Sequence, residues 1–233
     1  MPEVEALCRW NSPTLGQVSP AEFIPLAEAS DIIRPLTEWT IERTLTYCKG
    51  WHARGLLVKA AVNLSARHLQ DEGFADWLGS LLSRSGIRGE FLELEITESA
   101  IMRDPDRAMR MLRSIKALGI TLSIDDYGTG YSSLSYLQKL AVDRLKIDRS
   151  FIAGLLYNDR DHLIVKSTID LAHGVGLEVI AEGTETPRQL ADLQRFGCDY
   201  AQGYLLSRPL RPEHVFDWFD ARTESNSLKT SSG

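Results

Sequence analysis

Two aspartates stand side by side at Asp125 and Asp126, in the stretch SIDDYGTGYSSL. A β-type run (Ile120, Leu122, Ile124) precedes them, and a loop punctuated by Gly128 and Gly130 follows. Neighbouring carboxylates repel one another unless a cation or another positive group offsets them. Taken alone, the stretch reads as a turn, since Asp and Gly are what turns prefer. The sharper reading is a divalent-metal site at the carboxyl end of a strand. Other polar residues fall at comparable points: Asn63, Glu95, Lys146, Glu182 and Gln202 each lie at or near the end of a strand-like run, and Glu5 belongs to the first such run. Singly, each reads as a solvated loop residue. As a set contributed by successive strands, they read as one site. Hard oxygen donors without a Cys or His cluster suit Mg²⁺ or Mn²⁺ rather than zinc. His52, His68, His162, His173 and His214 fall in helical or loop segments and are assigned to no site.

Side-chain alternation refines the set. Glu5, Leu7 and Arg9 share one face of their run, so a metal candidate and a phosphate-binding cation point the same way. Glu93 and Glu95 also share a face, ~6 to 7 Å apart along a strand, and alternation does not choose between them as a ligand. Asp125 shares its face with Ser123, while Asp126 turns inward only if the strand has ended.

The elements that must position these residues alternate along the chain. Strand-like runs occur at VEALCRW, LVKAAVNLS, FLELEIT, ITLSIDD, DRLKID, LEVIAEG and, weakly, CDYAQGY. Asp104 with Pro105 opens a helix carrying Ala108, Met111, Leu112, Ile115 and Leu118 at helical spacing. Thr186 with Pro187 opens another, and a third carries Ile164, Val165, Thr168, Ile169 and Ala172 before Gly174 and Gly176. Such alternation implies parallel βαβ units. About seven strands without a composition break suggest a TIM-like barrel missing one member, or a doubly wound sheet.

The bulk properties bound the function. The chain has 233 residues, a net charge of -6 and 43% apolar residues. That is ordinary globular composition, and the acidic balance argues against an electrostatic grip on DNA or on an anionic membrane. No apolar run approaches a membrane span, and no signal peptide is legible. Three widely spaced cysteines form neither a disulfide framework nor a zinc spacing, so the expected compartment is the cytoplasm. One domain is expected over residues 1–221, followed by a disordered polar tail at 222–233.

At this point the chain resembles a known family, the EAL domain of cyclic-di-GMP phosphodiesterases. The resemblance rests on EALCRW at 5–10, SPAEFIPLAE at 19–28, NLSARHL at 63–69, ELEITES at 93–99, DDYGTGYSSLSYL at 125–137, LKID at 145–148, AEGTET at 181–186 and QGYLLSRPL at 202–210. Cys8 replaces a common Leu and Thr184 a usual Val. The resemblance implies a TIM-like (β/α)8 barrel lacking its N-terminal first strand, because family members usually carry roughly twenty residues before the EAL motif. It implies Glu5, Asn63, Glu95 and Asp125 as ligands of one Mg²⁺ or Mn²⁺ ion. Asp125, Asp126 and Glu182 would hold a second, which favours Glu95 over Glu93. Lys146 would orient the attacking water, Gln202 would lie near the same centre and Glu185 would support it. Arg9 would hold a phosphate, and Glu98 would anchor the 127–134 loop.

The reaction implied is hydrolysis of cyclic di-GMP to linear pGpG. The partners implied are sensory or GGDEF-type domains in a longer parent chain and a homodimer formed near the 127–134 loop. Two other functions stand beside this one: a cyclic-di-GMP receptor without turnover, and another metal-dependent barrel enzyme using Lys146 as base.

Overall fold

The computed structural model describes residues 1–128 and 137–230, with side chains described as far as residue 221. Its frame is one sheet of seven parallel strands in the order β1 (Glu3–Glu5), β4 (Lys59–Asn63), β5 (Leu92–Thr97), β6 (Thr121–Tyr127), β7 (Arg144–Ile147), β8 (Glu178–Ala181) and β9 (Tyr200–Ala201). A separate two-stranded antiparallel ribbon is formed by β2 (Trp10–Ser12) and β3 (Gly16–Val18). Successive parallel neighbours joined through helices are βαβ crossovers, as the alternation of the sequence requires.

Each strand sends its apolar side chains to one face. Val62, Leu94, Ile96, Leu122, Ile124, Leu145, Ile147 and Val179 are fully buried on that side. Ile41, Leu45, Leu78, Leu112, Ile115, Val165 and Ile169 from the helices complete the same core. The caps that start these helices are the ones the sequence marks. The Asp104 side chain accepts from the Arg107 amide at the head of helix Pro105–Lys116. Thr186 and Gln189 form a reciprocal capping box on helix Pro187–Phe196, with Pro187 in its first turn.

The opposite face is polar and concave. Gln202, just past β9, donates to Glu5 at the end of β1 over 2.7 Å, although the two strands lie at opposite edges of the sheet order. Only a sheet curled almost to closure brings its edges that near, so the architecture is a TIM-like half-barrel rather than a flat doubly wound sheet. Between the edges lies a cleft of about 410 Å³ lined by Glu3, Glu5, Glu93, Glu95, Tyr200 and Gln202, among others.

Three local features differ from the sequence reading. The run VEALCRW is not one strand: β1 stops at Glu5, and Trp10 already belongs to the ribbon. The last contact with β4 is the Ala6 amide on the Ala61 carbonyl, so strand alternation does not relate Glu5 to Arg9. Strand β6 does not end at Asp125 but continues to Tyr127 through a register shift after Ile124. Within that bulge Asp126 takes φ 56°, a left-handed conformation that Asp tolerates better than most residues. Finally, helix Pro212–Thr230 carries helical backbone through most of the segment that composition marks as a disordered tail. Its first turns are anchored by Val215, Phe216 and Phe219 on the core, and the polar residues that follow are only mildly unfavourable to helix.

Candidate active site

Residues at the carboxyl ends of the seven strands converge on the concave face. Lys146, 1% exposed, is the hub. Its Nζ lies 2.7 Å from Glu95 Oε1, 2.5 Å from Glu182 Oε1 and 3.4 Å from Asp125 Oδ1. These residues come from β5, β6, β7 and the residue after β8, so the site exists only when four parallel strands are in register. Glu5 is held separately: Asn63 Nδ2 donates to its Oε1 over 2.9 Å, and Gln202 Nε2 to its Oε2 over 2.7 Å.

The electrostatics are those of too many carboxylates in a dry place. Burial pushes Glu95 well above the ordinary carboxylate range, with Glu5 and Asp125 adding to the effect and Lys146 opposing it. Burial likewise lifts Glu182 to about 7 against the pull of Lys146. Asp126, exposed at the rim, is raised by partial loss of hydration, by Asp125 and by Asp148. For Lys146, burial disfavours the ammonium, but Glu95, Asp125, Glu182 and Glu5 outweigh it and push its pKa up. The ammonium therefore stays charged.

Two oxygens show what this cluster lacks. Glu95 Oε2 and Asp125 Oδ1 are buried and accept no hydrogen bond from the described residues, the second having only the Lys146 ammonium at 3.4 Å, and such a group costs about 1–3 kcal/mol, more when charged. A divalent cation satisfies both by chemistry: hard oxygen donors, excess negative charge and an amide beside them. Among the described residues, no three carboxylates already form a cage for a metal. They are drawn onto Lys146 instead. The donor set fits such an ion in type and charge, with its side chains turned toward the lysine.

The other sequence candidates are placed unequally. Arg9 is exposed, its Nη1 donating to the carbonyl of Cys8. Glu185 is exposed at the mouth of helix Pro187–Phe196, where its backbone amide donates to Gln189. Neither joins the cluster around Lys146. Glu98 is buried at the first position of helix Glu98–Met102, and its charge helps raise the Tyr127 phenol, which burial raises most. It therefore sits beside the point where the 127–134 loop leaves β6; residues 129–134 of that loop lie outside the described residues.

Glu93 and Glu95 are separated by partner, not by face. Glu95 meets Lys146, whereas Glu93 meets Arg144 at 2.7 Å. The sequence reading missed Arg144 and Glu3. Their signal was available: each lies two residues before a candidate, at the same alternation phase.

Fold and site together define a class, a TIM-like α/β barrel with an acidic centre and a buried lysine at the carboxyl ends of its strands. The chain belongs to the EAL domain family, whose model matches residues 1–209. It is 44% identical over 209 residues to the cyclic di-GMP phosphodiesterase NbdA of Pseudomonas aeruginosa, covering 89% of this chain and 27% of that protein. It is 39% identical over 215 residues to the cyclic di-GMP phosphodiesterase PA2567 of the same organism, covering 92% of this chain and 37% of that protein. Among solved structures, the c-di-GMP complex of the PaMucR phosphodiesterase superposes with a TM-score of 0.88 at 40% identity, over 92% of this chain and 87% of that one. The c-di-GMP-bound EAL domain of FimX from P. aeruginosa superposes with a TM-score of 0.83 at 27% identity, over 92% of this chain and 86% of that one. The chain spans between a quarter and two fifths of the length of the curated relatives it matches.

Proposed function

We propose that the chain hydrolyses one phosphodiester of cyclic di-GMP to give linear pGpG, using two Mg²⁺ or Mn²⁺ ions. The observation that carries this reading is the convergence of Glu95, Asp125 and Glu182 around Lys146, with Glu5 held beside them by Asn63 and Gln202 and two buried carboxylate oxygens accepting no hydrogen bond from the described residues, in an EAL domain. Glu5, Asn63, Glu95 and Asp125 would hold one ion, and Asp125, Asp126 and Glu182 would hold the other. Bound there, the ions supply a water activated at neutral pH and charge stabilisation for the attacking and leaving oxygens.

The side chains do the rest. Lys146, whose ammonium stays charged, would orient the attacking water by hydrogen bonding and offset negative charge gathering on the phosphoryl oxygens. Gln202 fixes Glu5 from across the cleft. Arg9, exposed beyond β1, takes a phosphate of the substrate as a charge-assisted pair. Glu185 supports the centre from the mouth of its helix. Glu98, buried beside Tyr127, anchors the loop that follows β6.

The relatives are longer, and the name of one, MucR, includes a diguanylate cyclase. We place this domain in a longer signalling chain with sensory or GGDEF-type partners, working in the cytoplasm as a homodimer. Among the described residues, no helix is long and apolar enough to cross a membrane.

Incubation with cyclic di-GMP and Mg²⁺, followed by chromatography of the products, tests the reaction. The expected product is pGpG, with none formed by Glu95→Ala. Binding of cyclic di-GMP without turnover would replace the enzyme with a receptor.

A further inference from the structure

Beneath the acidic centre lies a second charged layer in the same strands. Glu3, Glu93 and Arg144 stand two residues before Glu5, Glu95 and Lys146, on the same concave face and one pleat repeat (~7 Å) lower. The upper layer joins carboxylates to a lysine, and the lower joins carboxylates to an arginine. Arg144 is 3% exposed. Its Nη1 donates to both oxygens of Glu3, over 2.9 and 2.8 Å, and to Glu93 Oε2 over 2.7 Å. Its Nε donates to Glu178 Oε2 over 2.9 Å, and the Tyr200 ring lies 4.4 Å from its guanidinium carbon. One side chain thus grips β1, β5, β8 and β9, including both edges of the open sheet. Lys59 adds a weaker hold on Glu3, at 3.6 Å.

This matters most for β1. That strand is three residues long and, among the described residues, pairs with β4 alone, yet it carries Glu5. A three-residue edge strand has little intrinsic hold. We propose that Arg144 and Glu3 form a positioning pair that fixes β1 against the barrel and so places Glu5, together with its Gln202 contact, for cation binding. The inference rests on the reading of Glu5 as a cation ligand. The guanidinium suits the task because its rigid fork serves several carboxylates at once, and support groups behind metal ligands carry 10–100-fold in affinity.

The test compares Glu3→Ala, the milder Glu3→Gln, and Glu178→Ala as a control that also removes an Arg144 partner but lies on β8. Two quantities are read: Mn²⁺ affinity by calorimetry, and amide exchange across the sheet. For Glu3→Ala the expected result is about tenfold weaker Mn²⁺ binding and at least tenfold faster exchange at the Ala6 amide, which bonds Ala61. Amides of β5 and β6 should keep their protection. Glu3→Gln should shift both quantities in the same direction by less, and Glu178→Ala should shift neither. A general loss of packing would instead speed exchange across the sheet. Wild-type affinity and exchange in Glu3→Ala would overturn the proposal, and so would equal losses in Glu178→Ala. If wild-type protein took up no Mn²⁺, the functional reading would fall, and the Ala6 exchange arm alone would decide whether the pair fixes β1.

Discussion

Lys146 and Glu95 form a pair in which each group depends on the other's charge. Removing one partner of a buried pair leaves an uncompensated charge, so the two truncations should separate by what each touches. Glu95→Ala removes a proposed cation ligand, and turnover should vanish with weakened cation binding. Lys146→Ala removes a group that acts mainly as charge develops, so cation binding should persist while kcat falls ~100-fold or more. Calorimetry alongside steady-state kinetics reads both, and unchanged kcat in Lys146→Ala would end its catalytic role. A different residue carries a pH dependence outside the site. His68 is fully buried, neither ring nitrogen meets a side-chain or backbone hydrogen-bond partner at good geometry among the described residues, and Glu38 is 3.8 Å away. Burial first, and Arg34 second, hold its pKa down at about 4, from 6.5, with Asp71 opposing. Because the folded state binds the proton less readily than the unfolded one, stability is full above pH 6.5 and falls as pH drops toward 4. At about 1.4 kcal/mol per pH unit, the loss amounts to ~3 kcal/mol. Urea midpoints measured from pH 7 to 4 should show this slope, and His68→Gln should flatten it.

Among the elements, the loops that follow β8 and β9 are packed with little room between them. The Thr184 amide donates to the Gln202 carbonyl, and the Leu205 amide donates to the Thr184 carbonyl. A Cβ at Gly203 would lie 2.2 Å from the Thr184 carbonyl oxygen and 2.4 Å from its nitrogen. Backbone cannot yield there as a flexible side-chain tip can. Gly203→Ala should therefore cost ~2 kcal/mol or more in denaturant unfolding, and it should loosen Gln202 from Glu5. A midpoint unchanged within error would show that the two turns can slide apart. The β6 bulge is a second element-scale device. By placing Asp126 at φ 56° within a register shift, it breaks the strict alternation that a regular strand would impose on two consecutive carboxylates.

For the whole molecule, the relevant fact is the seam. Strands β5, β6 and β7 each have two hydrogen-bonded neighbours, whereas β1 and β9 have one. Across the cleft between them the described residues are joined by side chains: Gln202 to Glu5, and Arg144 to Glu3 on one side and Tyr200 on the other. Amide exchange should accordingly grade from slowest in β5–β7 to fastest in β1 and β9, following local rather than global opening. Equal protection in all seven strands would show that the seam is closed in solution. Substrate and cation should slow exchange at β1 most, because Glu5 sits there.

The sequence by itself determined the alternating parallel architecture, the helix starts at Asp104 and Thr186, and the placing of Asn63, Glu95, Asp125, Lys146, Glu182 and Gln202 at strand ends. Those features follow from local periodicity, capping chemistry and the rule that parallel strands expose their carboxyl ends on one face. The short motifs also sufficed for the family. Only the tertiary structure decided which of Glu93 and Glu95 meets Lys146, because both share a face and differ only in what stands opposite. It alone ended β1 at Glu5, leaving Arg9 outside the strand, since termination depends on whether β4 offers further partners. It alone built the bulge at Asp126 and the lower layer around Arg144. Alternation fixes the side of a strand that a residue faces, but the partners across a curled sheet come from strands tens of residues away, and closure alone brings them together.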